Sequence, residues 1–398
     1  MLKSHYLFFV CLLLALVSGC SSLGMKQDVD GHVALNRAVV EVPDNQLLDV
    51  WIEIFDPGEL PEDADEAMGL SMDIRNAEAR FMPEQLRTAM ESTGYWGAVR
   101  VVPQNTEGSE LLVRGVILES NGEQLELEIT ALDASGRQWL NRTYAAEIAP
   151  QLYRQGSTRK GEAFQPLYNA IANDLAEVRQ SLSAADNATI RQVAELRFAA
   201  DLAPEAFADD LQVDGRGRYT IVHLPAADDP MLQRVLAIRE RDLLLIDTLN
   251  GHYDNFSRSM ESPYNEWRKS RSEEAAALRK IEHDAMKRKL IGAAAILGAI
   301  LIESNSNGNN NGSAVMRDVL VLGGAYAIKS GFDKDSETGI HRDAIIELDE
   351  SFSAEARPLV VDVEGETHEL TGSAEVQYAK WRALLKRIYA SETGFTTL

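Results

Sequence analysis

The feature that most constrains the fold is a pair of apolar runs on either side of Asn121-Gly122. Residues 111–119 and 125–132 have the length and composition of strands. An Asn-Gly dipeptide between two such runs is typical of a type I′ hairpin turn, because both residues readily adopt positive φ. A second turn at 133–136 and a third apolar run at 138–144 follow directly. The sequence therefore predicts a three-stranded antiparallel meander.

Helices and strands surround this meander. The apolar patterns predict strands over residues 50–55 and 96–102 and helices over residues 74–92 and 163–182. Gly94 is placed to end the first helix, and Pro83 leaves open a division of that helix into two. Together these elements predict an α/β domain over residues 38–182.

The middle of the chain is predicted to be helical. Residues 183–302 form this region, with one strand at 218–224 and an amphipathic helix over 232–249. Ser262-Pro263 supplies an N-cap residue followed by a proline at the first helical position. A long helix is therefore predicted to begin there and to continue to about residue 302.

A segment that is apolar on every face follows the basic triplet Lys287-Arg288-Lys289. A polar loop at 304–313 and a second apolar segment at 319–328 come next. Small residues recur at every fourth position, a spacing that lets helix backbones approach closely. These residues are Gly292, Ala294, Ala295, Gly298, Ala299, Gly323, Ala327 and Gly331. The sequence predicts a glycine-zipper-like helical hairpin over residues 290–331.

Three placements of this hairpin stay open. In the first, the hairpin packs within its own domain or against copies of itself, which would give a homo-oligomer. In the second, it inserts partly into one leaflet of a membrane, with residues 287–289 at the headgroups. In the third, it forms an oligomeric pore. Each arm is shorter than the ~20 residues of a membrane-spanning helix, which favours the first placement.

The last section, residues 332–398, is predicted to be a small β unit with a closing helix. Apolar residues at 358–365 and a returning strand at 367–371 give the β part, and residues 374–390 give the helix. The predicted fold class is therefore α+β. It combines an N-terminal α/β domain and its meander, a helical middle with a glycine-rich hairpin, and this C-terminal unit.

The N-terminus has the pattern of a cleaved secretory signal. Lys3 supplies a positive charge, residues 7–16 form a short apolar core, and Val17-Ser18-Gly19-Cys20 places small residues before a cysteine. This order resembles a bacterial lipoprotein signal with its lipobox. The resemblance implies removal of residues 1–19, a diacylglycerol on the Cys20 sulfur and an acylated new N-terminus.

The residues after the lipobox bear on location. Residues 20–37 are polar and lack apolar periodicity, which predicts a lipidated tether. Ser21 and Ser22 stand where inner-membrane lipoproteins of enterobacteria carry Asp, so the resemblance implies lipid anchoring in the outer membrane, facing the periplasm. Cys11 lies in the removed signal, so the mature chain keeps Cys20 alone and forms no internal disulfide.

A second resemblance concerns the α/β domain. Residues 79–87 and 94–103, within the order strand, helix, strand, hairpin, strand, helix, are similar to a domain of outer-membrane lipoproteins that assist envelope machines. Those families include auxiliary lipoproteins of ABC-type lipid transporters, lipoprotein activators of penicillin-binding proteins, and polysaccharide-export and curli-secretion lipoproteins. The similarity implies docking to an envelope protein partner, and it supplies no family site residues.

The sequence contains no clear catalytic, metal or cofactor motif. The net charge of −23 disfavours nucleic-acid binding, and the seven histidines are isolated from one another. No nucleophile elbow, Walker loop or dinucleotide-binding motif is present. Asp333 begins a pattern like a calcium loop, but Gly339 comes one place late and Ala344 replaces the final Glu. We therefore predict a non-enzymatic docking or assembly accessory. The alternatives are an envelope hydrolase acting on peptidoglycan or polysaccharide, and a lipid-binding carrier.

Overall fold

A computed structural model describes most of the globular part of the chain. The described residues are 25–61, 70–106, 108–149, 153, 161–226, 228–303, 343, 346–347, 359–363, 366–370 and 373–393. The backbone alone is described for residues 274, 277–278, 280–303, 359–363, 366–369 and 392. Within this part the fold is α+β, as predicted, with one mixed sheet and flanking helices.

The sheet has six strands, and the predicted meander forms its centre. The strands are β1 (Met25–Asp28), β2 (Val50–Glu53), β3 (Val99–Val102), β4 (Leu111–Ser120), β5 (Gln124–Asp133) and β6 (Gln138–Glu147). Their spatial order is β1-β6-β5-β4-β2-β3. The β4-β5-β6 pairs are antiparallel, whereas β1 is parallel to β6 and β2 is parallel to both β3 and β4.

Helices cover both faces of this sheet. They are α1 (Met72–Glu91), α2 (Gln165–Gln180), α3 (Ala184–Leu202), the short α4 (Pro204–Phe207), α5 (Pro230–Glu303) and α6 (Ala374–Thr393). Two small hairpins complete the described elements, β7 (Leu211–Val213) with β8 (Tyr219–Ile221), and β9 (Leu359–Val363) with β10 (Glu366–Leu370).

Two apolar cores lie on opposite faces of the sheet, because successive strand residues point to opposite sides. Val50 and Ile52 face the core formed with α1, α2 and the middle of α5. Trp51 and Val101 face the core formed with α3, the first half of α5 and α6. The C-terminal helix α6 and Leu370 of β10 belong to this second core.

Helix α1 is continuous through Pro83, so the division left open for this helix does not occur. A proline inside a helix leaves the carbonyl four residues earlier without its usual N–H donor. Here the carbonyl of Ala79 accepts a hydrogen bond from the backbone N–H of Phe55, at 2.9 Å. The residue after β2 thus satisfies the group that the proline leaves free.

Helix α5 does not begin at Ser262-Pro263, and that prediction was wrong. The helix runs for 74 residues with Pro263 in its interior. The side chains of Met260, Tyr264 and Trp267, on either side of the proline, are buried. Burying each such side chain contributes about 1.5–3 kcal/mol, and together they outweigh the ~3 kcal/mol cost of an interior proline.

The turn between β4 and β5 also differs from the predicted type I′. Gly122 has a φ of 92°, but Asn121 is not among the described residues with positive φ. The side-chain Oδ1 of Asn121 instead accepts hydrogen bonds from the backbone N–H groups of Glu123 and Gln124, at 3.0 and 2.8 Å. Asn121 therefore occupies the position before the two central residues of the turn, instead of being one of them.

Residues 25–37, predicted to be part of a tether, lie on the domain. Strand β1 pairs with β6, and Val29 is buried. The side-chain amides of Asn169 and Asn173 on α2 donate hydrogen bonds to the carbonyls of Val33 and Ala34, at 2.8 and 2.9 Å. Because backbone groups make most of these contacts, the segment can pack on the domain without a repeating pattern of apolar side chains. Its polar sequence therefore gave no sign of this strand.

Candidate functional site

Some of the predicted site residues lie within the described part of the chain and others lie outside it. Cys20 lies outside the described residues, as do Gly323, Ala327 and Gly331. The other predicted packing residues lie near the C-terminal end of α5, where the backbone is helical: Gly292, Ala294, Ala295, Gly298 and Ala299. The first arm of the predicted hairpin therefore coincides with the C-terminal end of α5. The candidate site is the part of α5 that attaches this end to the domain.

Helix α5 crosses the domain from the edge strand to the β4-β5 turn. Near its start, the side-chain Oδ1 of Asn250 accepts a hydrogen bond from the backbone N–H of Val101 in β3, at 2.6 Å. Further along, Arg268 and Arg271 lie beside Gly122 in the β4-β5 turn. The helix therefore follows the direction of β4 and leaves the sheet at the end where β4 finishes.

A group of buried polar residues, here called the root cluster, joins α5 to the domain. It consists of Arg75 and Glu78 from α1, Ser120 from β4, Glu162 before α2, and Tyr264 and Arg268 from α5. All six residues are buried. The cluster lies where α1, α5 and the end of β4 meet.

Glu78 is the acidic centre of one half of the root cluster. Its Oε1 accepts hydrogen bonds from the hydroxyls of Ser120, at 2.6 Å, and Tyr264. The Nε of Arg75 lies 3.7 Å from its Oε2. Burial raises the pKa of Glu78 above the ordinary value, while the positive charge of Arg75 opposes the rise. This half ties α5 to α1 and β4 through one carboxylate.

Arg268 and Glu162 form the other half. Their side chains pair at 2.7 Å, and both are almost fully buried. The Arg268 guanidinium also lies over the rings of Tyr264 and Phe164, at 3.8 and 5.0 Å from the ring centroids. Burial lowers the pKa of Arg268, but Glu162 and the neighbouring tyrosines together outweigh burial, so the pKa is raised and the guanidinium stays charged. A charged residue of α5 is thus held inside the domain.

A third set of contacts lies where α5 leaves the domain. Glu123, in the β4-β5 turn, accepts hydrogen bonds from Ser272 at 2.8 Å and from both terminal nitrogens of Arg279 at 2.7 and 2.8 Å. Burial raises the pKa of Glu123, but the hydrogen bonds from Arg279 and Ser272 and the charges of the nearby arginines together outweigh burial, so the pKa is lowered. Beyond Arg279 the helix continues to Glu303. That length is about seven turns, or roughly 36 Å.

Gly122 is required by this crossing as well as by the turn. A Cβ added there would lie 3.1 Å from the carbonyl oxygen of Arg268 and 3.2 Å from the Cβ of Arg271. With a φ of 92°, the position is also in the region that favours glycine. The glycine that the sequence assigns to a hairpin turn therefore also lets α5 pass close to the sheet.

A cleft of about 570 Å³ lies at the carboxyl ends of the parallel strands β2 and β3, a common place for ligands in α/β sheets. One wall is the loop after β3, and the other is α6. Its lining consists of Ile54, Pro103, Gln104, Asn105, Thr106, Asp201, Glu375, Tyr378, Ala379, Arg382 and Lys386. Asn105 has a φ of 60°, and its N–H donates to Glu53 at 3.0 Å.

The two basic groups of the cleft, Arg382 and Lys386, are paired with acids. Arg382 donates to Asp242 at 3.0 Å and to Asp201 at 2.6 Å, and Lys386 donates to Asp201 at 2.9 Å. Asp242, which is buried, also accepts from the indole N–H of Trp381 at 3.1 Å. We call Asp201, Asp242, Trp381 and Arg382 the α6 clamp. Its bonds fix α6 to α3 and α5 and leave the cleft with little uncompensated charge.

No described helix combines the length and apolarity needed to cross a membrane. Within the same residues, no group of three or more His, Cys, Asp or Glu side chains is placed to hold a metal ion.

Comparison with known proteins adds no relative. No protein family model, curated protein or solved structure matches this chain.

The sequence analysis missed both buried ionic groups. A signal for the root cluster was present, since Glu78 falls on the same helical stripe as the apolar residues Ile74 and Phe81. A carboxylate on the buried stripe of a helix needs a partner, and Arg75 was the nearest candidate. The partners on α5 come from distant parts of the sequence, so no local pattern could identify Tyr264 or Arg268.

Proposed function

We propose that this protein is a lipid-anchored lipoprotein of the outer membrane that faces the periplasm and assists the assembly of an envelope complex. The lipobox at residues 17–20 supports the anchor, since a short apolar core, small residues and Cys20 follow in the required order. Three acyl chains would hold the mature chain firmly to a membrane.

The observation that carries the assembly role is the course of α5. One continuous helix is held in the domain by the root cluster and ends in a segment of apolar and small residues. A rigid arm of this kind holds an association surface at a fixed place relative to the domain. The small residues Ala294 and Gly298 favour close contact with another helix.

The proposed role is non-enzymatic. In the cleft at the ends of β2 and β3, Arg382 and Lys386 are engaged by the acids of the α6 clamp. Charges used in this way support the packing of α6 and do not supply an unpaired acid, base or nucleophile. The α/β domain would instead bind an envelope protein, and the end of α5 would associate with a second copy of the chain or with lipid.

The anchor is tested by mass spectrometry of the mature protein. We expect the N-terminal peptide to begin at Cys20 and to carry the mass of a diacylglycerol and an acyl chain. Cys20→Ala should abolish this modification and release the protein from membranes. Cys11→Ala, in the signal, is the matched control and should leave the mature protein unchanged. An unmodified Cys20 in the wild type would contradict the proposal.

The assembly role is tested on the intact lipidated protein, extracted gently from outer membranes, by measuring the mass and composition of the complex. A homo-oligomer that Gly298→Leu with Gly323→Leu disrupts, or a stoichiometric envelope protein, supports the proposal. Gly251→Leu is the control, because it places the same side chain in α5 at a position with nothing within 4 Å of the added Cβ. A lone monomer would contradict an assembly role.

A further inference from the structure

The two ends of the α/β domain differ in which parts of the chain they carry. Strand β1 is parallel to β6, with Met25 opposite Arg142 and Asp28 opposite Ala145. The chain before Met25 therefore comes from the end of the sheet where β6 begins, beside the β5-β6 turn. Helix α5 leaves at the other end, beside the β4-β5 turn.

The β7-β8 hairpin packs on the β5-β6 turn. The backbone N–H of Tyr219 donates to the carbonyl of Ser135 at 2.9 Å. Arg197 of α3 links the same parts, since it lies 4.5 Å from the centroid of the Tyr219 ring and donates to the carbonyl of Ala134 at 3.1 Å. The turn and the hairpin thus form one surface, here called the anchor face and comprising residues 133–138 and 211–224.

Exposed apolar side chains occur on the hairpin of the anchor face. Val222 and Leu224, which follow β8, are 49 and 58% exposed. Val213 is 54% exposed, but it pairs with Tyr219 and therefore lies on the opposite face of the hairpin from Val222. An exposed apolar group of this kind commonly marks a contact with another protein or with a membrane.

The two arginines at the tip of the same hairpin favour contact with an anionic lipid surface. Its turn carries Arg216 and Arg218 in a chain whose net charge is −23. The neighbouring carboxylate of Asp214 accepts hydrogen bonds from the backbone N–H groups of both arginines, at 2.7 and 2.9 Å. Those bonds hold the tip of the turn in one shape, with both arginine residues exposed. Asp209 and Asp210 lie at the base of the hairpin, where the carbonyl of Asp210 accepts a hydrogen bond from the backbone N–H of Val222 at 2.8 Å.

The reach of the tether places this face near the lipid. The stretch from Cys20 to Met25 covers at most about 18 Å when fully extended. From Arg142, opposite Met25, back to Gln138 at the start of β6, the strand covers about 13 Å. A lipid on Cys20 can therefore reach the level of the anchor face and only slightly beyond it.

We propose that the anchor face lies against the membrane that holds the Cys20 lipid. This inference rests on the proposed lipidation. Val222 and Leu224 contact the boundary between headgroups and acyl chains, and Arg216 and Arg218 contact anionic headgroups. The acyl chains supply attachment, and the anchor face fixes the orientation of the domain.

This orientation directs the end of α5 away from the anchoring membrane. The ten residues of β4 cover about 33 Å, and the helix from Arg271 to Leu290 adds about 28 Å in the same direction. Residues 290–302 would then lie about 60 Å from the anchor face, so they would not enter the leaflet that holds their own lipid.

The experiment uses the full-length lipidated protein in vesicles of phosphatidylethanolamine and phosphatidylglycerol that contain spin-labelled lipid as a quencher. Val222→Cys and Leu224→Cys each introduce a single free thiol, because Cys20 is lipidated and Cys11 is removed with the signal. An environment-sensitive fluorophore on either thiol should be quenched at least about twofold by the labelled lipid. Leu118→Cys and Met72→Cys are the matched controls.

The control positions are 42 and 39% exposed and lie near the end of the sheet where α5 leaves, so their fluorophores should stay unquenched. Arg216→Glu with Arg218→Glu should reduce quenching at residue 222, whereas Arg258→Glu, 67% exposed on α5, should not. Lipidated protein with no quenching at residues 222 and 224, or with equal quenching at the controls, would overturn this orientation alone. An unlipidated Cys20 would overturn both this inference and the proposed function.

Discussion

The root cluster and the α6 clamp are both buried ionic groups, but they differ in how completely their polar atoms are bonded. In the clamp, both oxygens of Asp242 and both terminal nitrogens of Arg382 make hydrogen bonds. In the root cluster, one carboxylate oxygen each of Glu78 and Glu162 makes no hydrogen bond to a described residue. The same is true of two Arg268 nitrogens.

The two groups therefore contribute differently to the stability of the fold. A buried ion pair stabilises little when its remaining polar atoms are unbonded, because desolvation offsets the attraction between the charges. The root cluster therefore fixes the position of α5 without adding much net stability. The clamp contributes to the stability of the α6 packing, and it also loses less when one bond is removed, because Arg382 has a second acid.

The largest expected effect comes from breaking the root cluster. Arg268→Met leaves the Glu162 carboxylate buried without its cation, and we expect the free energy of unfolding to fall by about 3–5 kcal/mol. Urea denaturation measures the change. Arg258→Met, at an exposed position on the same helix that pairs with Asp254, is the control and should cost about 0.5 kcal/mol or less. Similar losses in the two variants would contradict the role assigned to the cluster.

A smaller loss is expected in the clamp. Asp242→Asn keeps the shape of the side chain but weakens its bonds to Arg382 and Trp381, and we expect a loss of about 2 kcal/mol in the free energy of unfolding. Asp247→Asn, 51% exposed in its pair with Arg100, should lose under about 1 kcal/mol. If Asp242→Asn costs more than Arg268→Met in the same denaturation series, the comparison between the two groups is reversed.

The interface between α1 and α5 should also respond to pH. Burial raises the pKa of Glu84 to about 7, against the opposing effect of Arg87. Because the folded state holds this proton more tightly than the unfolded chain, the stabilisation is fully present below pH 4.5 and is lost as the pH rises through 7.

Glu84→Gln should therefore reduce the loss of stability between pH 5 and pH 8, measured by denaturation at both values. Glu110, whose pKa burial also raises to about 7, supplies part of the remaining dependence. Glu91→Gln, at a 44% exposed position on α1, is the control and should keep the wild-type dependence. An unchanged pH dependence in Glu84→Gln would show that this carboxyl does not titrate with folding.

The smallest effect is expected where α5 leaves the domain. Arg279 is 53% exposed, so Arg279→Gln should lower the free energy of unfolding by at most about 1 kcal/mol, and less at high salt. Denaturation at two salt concentrations measures this effect. A loss as large as that of Arg268→Met would place the main attachment of α5 at Glu123 instead of at the root cluster.

Local patterns predicted most of the secondary structure. The meander, α1, α2 and α6 were predicted because their apolar residues repeat with the period of strands or helices. The predictions from local sequence failed where contacts with residues distant in the sequence decided the structure. The N–H of Phe55 compensates Pro83, and buried side chains around Pro263 keep α5 continuous. Strand β1 forms through backbone pairing that no side-chain pattern records.

The candidate sites were less predictable than the fold. The helical backbone of residues 290–303 agrees with the first arm of the predicted hairpin, and the second arm lies outside the described residues. The root cluster joins residues that are nearly two hundred positions apart, such as Glu78 and Tyr264. Such a contact depends on the whole arrangement of α1, α5 and the sheet.

The continuity of α5 also means that the number of residues between Arg279 and Leu290 sets the direction in which the apolar segment faces. Each residue added to a helix rotates everything after it by about 100° and moves it by about 1.5 Å. One inserted residue would therefore turn the small residues to a different side, whereas seven inserted residues would nearly restore the original direction. In this helix, the length of the stretch between the domain and the apolar segment determines the rotational phase in which a partner is met.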